Sequence, residues 1–205
     1  MDKIIITIGR QYGSGGKEIG EKIAKELGIP FYDKELLTAA AKKSGICEEM
    51  FESHDEKPTS SFLYSLVVGS YASGQTPMNH KLFLAQFDAI KEIASQGSCV
   101  ILGRCADYAL EDDPDVINVF IHADKETRIK RAVKYYNVEE GKAEDVINKT
   151  DKQRASYYNF YSGKKWGNTG SYDLSVNSGF IGIDNTVKTI IDFVEKRKEF
   201  KKSMK

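Results

Sequence analysis

The chain has 205 residues, enough for one domain with a full core and room for inserted subdomains. Its 30 lysines and arginines cancel its 30 aspartates and glutamates, so net charge argues against a nucleic-acid-binding module or a membrane-surface protein. Three cysteines, Cys47, Cys99 and Cys105, without a CxxC pair argue against a disulfide framework or a thiolate zinc site.

Met1-Asp2-Lys3 makes no cationic leader, and no apolar run approaches the ~20 residues of a membrane span, so a cytoplasmic protein with no membrane partner is expected. Lys3 to Ile8 is a β-branched run that predicts a buried parallel strand. Ile19, Ile23, Ala24 and Leu27 then fall at helical spacing, with Gly28 as the C-cap. A short strand, Ile29 to Tyr32, follows, and Asp33 stands where a cap for a helix over Glu35 to Lys43 is wanted. Residues 46–97 hold helical patches (Phe62 to Tyr71, Lys81 to Ser95) without a strand pattern, and predict a helical insertion. Cys99 to Leu102 and Val116 to Ile121 are further strands, each followed by a helix, the second over Lys125 to Tyr136. A helix-like stretch carries basic groups from Lys142 to Lys165, and Gly163, Gly167 and Gly170 loosen what comes after it. Tyr172 to Val176 is the last strand, Asp184 to Lys201 the closing helix, and Lys196 to Lys205 a frayed tail. Strands alternating with helices predict an α/β, three-layer fold around a parallel sheet.

Between the first strand and helix stands Gly9-Arg10-Gln11-Tyr12-Gly13-Ser14-Gly15-Gly16-Lys17-Glu18. Glycines let backbone N–H groups approach a phosphate, the helix N-terminus adds a favourable dipole, and Lys17 supplies a cation. The strict spacing G-x-x-x-x-G-K-[ST] is met at Gly16 and Lys17 but not at Gln11 or Glu18. A phosphate loop is the favoured reading; a glycine-rich turn without ligand is the alternative. His54, His80 and His122 are scattered, so no protein metal site is expected, and Ser14 has no neighbouring base for nucleophilic catalysis.

The run Gln11 to Gly20, Leu27 to Leu36, Val100 to Ala106 and the Arg128 to Asn177 region resemble the cytidylate kinase-like family, a P-loop group of nucleoside monophosphate kinases. The resemblance implies a P-loop NTPase fold with core segments 1–45, 98–136 and 171–205. It also implies a helical acceptor-binding insertion over 46–97 and a lid over 137–170. The expected cofactors are ATP, bound at Gly13, Ser14, Gly15, Gly16, Lys17 and Glu18, and Mg²⁺ held mainly through nucleotide and water, with Glu18 or Asp107 assisting. Tyr32, Asp33 and Arg104 fall on the acceptor side, although Asp33 is equally a helix cap. Lys17, Arg104, Arg154, Arg128 and Arg131 are the candidates for screening the transferred phosphoryl group. The activity implied is phosphorylation of a nucleoside monophosphate, CMP or dCMP first, by a monomer or homodimer. Two alternatives stay open: a kinase for another small acceptor, and a nucleotide-binding protein without turnover, to which Gln11, Glu18 and Leu102 point.

Overall fold

The computed structural model describes residues 3–33, 39 and 78–204. The helix expected over Glu35 to Lys43, the patch Phe62 to Tyr71 and most of the 46–97 insertion lie outside the described residues. In chain order the elements are β1 (Ile5–Arg10), α1 (Gly16–Leu27), β2 (Phe31–Tyr32), α2 (Met78–Gln96), β3 (Cys99–Leu102), α3 (Ala106–Ala109) and β4 (Val116–His122). There follow α4 (Lys125–Tyr136), α5 (Ala143–Ser162), β5 (Leu174–Asn177), α6 (Ser178–Ile181) and α7 (Ile183–Ser203).

All strand pairs are parallel, in the order β2-β3-β1-β4-β5, with Ile8 opposite Leu102 on one side and Val119 on the other. Parallel pairing requires a crossover between strands, and helices cover both faces of the sheet. The period-2 alternation of β1 divides its isoleucines between those faces. Ile4, Ile6 and Ile8 pack with Ile19 and Ile23 of α1 and with Val187, Ile190 and Val194 of α7. Ile5 turns the other way, with Ile101, against Ala89, Ile90 and Ile93 of α2 and Ala106 and Ala109 of α3. Each fully buried isoleucine contributes roughly 2 kcal/mol to this core. The result is the three-layer arrangement expected, a P-loop kinase fold.

Caps close the helices where the sequence places them. Gly28 adopts φ 64° after α1, and Asp124 accepts the Thr127 N–H at 2.8 Å to start α4. Two expectations are corrected. β5 begins at Leu174 rather than Tyr172, because Tyr172 packs on Phe120 (ring centroids 4.8 Å apart) instead of entering the ladder. The tail is not frayed: α7 continues to Ser203, and Lys201 anchors it through Asp115 Oδ1 (2.6 Å) and the Pro114 carbonyl (2.8 Å).

Candidate active site

The loop between β1 and α1 is built by hydrogen bonds that fix its shape. The Gln11 N–H donates to the Ile121 carbonyl at 2.9 Å and its side-chain oxygen accepts the Ala123 N–H at 3.2 Å, tying the loop to the end of β4. Ser14 is fully buried; its hydroxyl donates to the carbonyls of Gln11 (2.8 Å) and Ile121 (3.2 Å), so that side chain shapes the loop. Ser178 at the start of α6 donates to the Ser14 carbonyl at 2.6 Å and adds a second brace. Gly13 and Gly15 have φ of 78° and 79°, and a Cβ at Gly13 would lie 2.5 Å from the Arg128 carbonyl oxygen. Only glycine fits both the conformation and the space. The N–H groups of Gly13, Gly15, Gly16 and Glu18 donate to no protein acceptor among the described residues. Four such donors clustered around a helix start make a candidate cradle for an anion.

Lys17 links this loop to the ends of β2 and β3. Its ammonium pairs with Asp33 Oδ2 at 3.1 Å, and Asp33 Oδ1 lies 3.6 Å from Arg104 Nη1. Asp33 therefore connects the lysine of the loop to the arginine at the end of β3. Arg104 is buried and holds φ 57°, a left-handed conformation that costs a non-glycine residue of order 1 kcal/mol or more. Tyr32 is half-buried against the apolar cluster around Ile101 and Ala106.

The remaining arginine candidates fall into two groups. Arg131 Nη2 pairs with Glu18 Oε2 at 2.7 Å, and its guanidinium stands 3.2 Å from where a Gly15 side chain would begin. Arg128 is buried and pairs with Asp151 Oδ2 at 2.5 Å, while the other Asp151 oxygen accepts the Tyr12 N–H at 2.7 Å. The Nε atoms of Arg128 and Arg131 are buried and find no acceptor among the described residues. Arg154 lies elsewhere, donating to the Arg10 carbonyl at 3.2 Å.

Arg104 and Arg154 meet, with Arg10, in a cavity at the carboxyl ends of β1 and β3, where open α/β sheets bind ligands. Tyr157, Tyr158, Trp166 and Tyr172 close it, and Asp107 is the one carboxylate that lines it among the described residues. The Tyr158 hydroxyl donates to Asp107 Oδ2 at 2.6 Å, and burial still raises the Asp107 carboxyl above the usual carboxylate range. Burial pushes Tyr172 up to about 12 and raises Tyr158 further. The sequence reading gave Arg10, Tyr158 and Tyr172 no role; only the run Tyr157-Tyr158-Asn159-Phe160-Tyr161 signalled an aromatic wall.

Carboxylates around the loop are committed to cations: Glu18 to Arg131 and Lys22, Asp33 to Lys17 and Arg104, Asp151 to Arg128. Among the described residues no group of three or more His, Cys, Asp or Glu could hold a metal ion. Mg²⁺ carried in by a triphosphate with its waters would be compatible with these cation-paired carboxylates.

A parallel sheet with a glycine loop between its first strand and first helix is the framework of the P-loop kinase fold. The chain belongs to the cytidylate kinase-like family, whose model matches residues 5–179. A crystal structure of an uncharacterized protein from Eubacterium ventriosum ATCC 27560 is 31% identical, with a TM-score of 0.72 over 94% of this chain and 99% of that one. Shikimate kinase from Bacteroides thetaiotaomicron shares the fold at 16% identity, with a TM-score of 0.54 over 94% of this chain and 98% of that one. Shikimate kinase from Acinetobacter baumannii, in complex with shikimate, does so at 15% and 0.51, over 96% and 94%. No curated protein matches the chain significantly. No helix among the described residues is long and apolar enough to cross a membrane.

Proposed function

We propose that the protein transfers the γ-phosphoryl group of ATP to a nucleoside monophosphate, with CMP or dCMP the first acceptors to test. The observation that carries this reading is the cradle of undonated N–H groups on Gly13, Gly15, Gly16 and Glu18, with Lys17 beside it and linked through Asp33 to Arg104. Phosphoryl transfer needs little covalent help from a protein; it needs two substrates held in line and their charge screened. The loop amides and Lys17 would hold the β- and γ-phosphates. Arg131 would sit at the edge of the cradle, and Arg104, Arg154 and Arg10 would receive the acceptor's phosphate. Tyr157, Tyr158 and Trp166 would exclude water from that side. Mg²⁺, held by nucleotide oxygens and water, would supply further charge neutralisation. Pyrimidine preference rests on the family, since residues 46–77 of the insertion lie outside the described residues.

One observation favours a second reading, a kinase for another hydroxyl-bearing acceptor. Asp107 places a carboxylate in the cavity with the arginines, and a carboxylate can accept a hydrogen bond from an acceptor hydroxyl. ADP production from ATP and Mg²⁺ across a panel of monophosphates and small hydroxylated acids separates the two, with Lys17→Ala as the blank. Turnover above the blank with CMP or dCMP supports the nucleotide kinase; turnover confined to a hydroxy acid moves the assignment to the second reading. ATP binding with no turnover across the panel supports a nucleotide-binding protein instead.

A further inference from the structure

Asp151 is a largely covered carboxylate bound to the phosphate loop that the proposed chemistry leaves unused. It sits in the middle of α5, 139 positions along the chain from the loop residue it binds. One oxygen accepts the Tyr12 N–H at 2.7 Å; the other meets Arg128 of α4 at 2.5 Å. Its side chain is 15% exposed and that of Arg128 10% exposed, so both charges are largely withdrawn from water. Burial is the largest influence on Asp151 and raises its carboxyl above the ordinary range, despite the arginine and the N–H.

The placement is informative because of what lies around Tyr12. The loop has two kinds of N–H. Those of Gln11, Tyr12 and Ser14 are occupied, by Ile121, Asp151 and Gln11 respectively, whereas those of Gly13, Gly15, Gly16 and Glu18 form the cradle. Tyr12 is the occupied donor immediately before the cradle begins. Its acceptor is a side-chain tie between the backbone of that turn and α5. Three further contacts converge here. Arg128 presents its carbonyl oxygen to the Gly13 backbone, Arg154 donates to the Arg10 carbonyl, and the Arg154 guanidinium lies 5.8 Å from the Tyr12 ring centre.

We propose that Asp151 is a positioning residue for the donor triphosphate: it sets the loop in its anion-binding shape through the Tyr12 N–H, and Arg128 is its counter-charge. This rests on the reading of the loop as a triphosphate site. An acceptor at Tyr12 holds the turn so that the next amides point inward, and preorganised donors bind an anion without first reorganising. Arg128 keeps the buried carboxylate ionised, since a buried unpaired charge would be strongly unfavourable. Asp151 touches no phosphate itself.

Calorimetric titration of the full-length protein with ATP, and separately with sodium tripolyphosphate, tests this without needing turnover or a known acceptor. Asp151→Glu keeps the charge for Arg128 but moves the acceptor oxygen by one methylene; affinity for both anions should fall about ten-fold or more. Asp151→Ala should fall at least as far. The double variant Asp151→Asn with Arg128→Gln removes both charges yet retains an oxygen for Tyr12 and a neutral partner for the amide. It should bind both anions within a few-fold of wild type. Asp151→Glu retains a carboxylate for Arg128, and a thermal melt of each variant checks its folding, so the test survives if Asp151→Ala does not fold. Wild-type affinity in Asp151→Glu would overturn the proposal. So would a double variant as weak as Asp151→Glu, since Arg128 would then reach the phosphates itself. Wild-type protein that binds neither anion would remove the triphosphate reading, a result separable from either of these.

Discussion

At the scale of single residues, Asp107 combines burial, a tyrosine donor and a place among arginines. Burial is the dominant influence and raises its carboxyl; the Tyr158 hydroxyl and Lys164 pull the other way. A carboxyl with a folded value above its unfolded one holds more protons in the native state between the two values. Its contribution to stability is present on the acid side and lost as pH rises through the folded value. Asp107→Asn removes that loss while keeping an acceptor for Tyr158. Urea midpoints at about pH 4.5 and about pH 7.5 should therefore show the variant gaining on wild type as pH rises. A constant difference across that range would mean that Asp107 ionises as readily as in the unfolded chain. The opposite signs at Asp113, Asp124, Glu144 and Asp184, all lowered, make the comparison with the variant necessary, since wild-type stability alone sums both kinds.

At the scale of elements, α5 is the segment whose role the sequence conveyed least well. The stretch Lys142 to Lys165 reads as basic and lid-like, and its helix is present from Ala143 to Ser162. Its anchors could not be read from one sequence, because every partner is remote: Gln86 for Tyr157, Asp107 for Tyr158, Arg10 for Arg154, Tyr12 and Arg128 for Asp151. The glycine loop was legible for the opposite reason, since its conformation is demanded locally by consecutive residues. Strands β1, β3 and β4 were legible through short runs rich in β-branched and other apolar residues. β5 was misplaced by two residues because Tyr172 looks like strand but packs by its ring. As a proposed lid, α5 is docked here, and the weakest point is the connection after it, where Gly163 and Gly167 take φ of 67° and 72° and Lys165 is exposed. Trypsin should cut first at Lys165, and ATP together with the productive acceptor should slow that cut, since local opening governs cleavage. Equal rates with and without both substrates would count against closure of this segment.

At the scale of the whole molecule, the two halves of the site are joined by one chain of charges, Lys17 to Asp33 to Arg104. That connection makes ligand-linked stability a way to separate donor from acceptor. A ligand that binds only the native state at a hundred times its dissociation constant adds about 2.7 kcal/mol. For a domain of this length that corresponds to roughly 5–10 °C in Tm. ATP should give such a shift in wild type, and Lys17→Ala should lose most of it, because the lysine lies at the cradle. Arg104→Lys should keep the ATP shift and lose the shift from the acceptor. Lysine retains the charge but not the bidentate fork that suits a phosphate, and it must also occupy the φ of 57° that Arg104 holds. Loss of the ATP shift in Arg104→Lys, with the acceptor shift intact, would place Arg104 on the donor side. In that case Asp33 would be holding two donor-side cations, and the acceptor site would have to be sought away from the cavity that Arg104 lines.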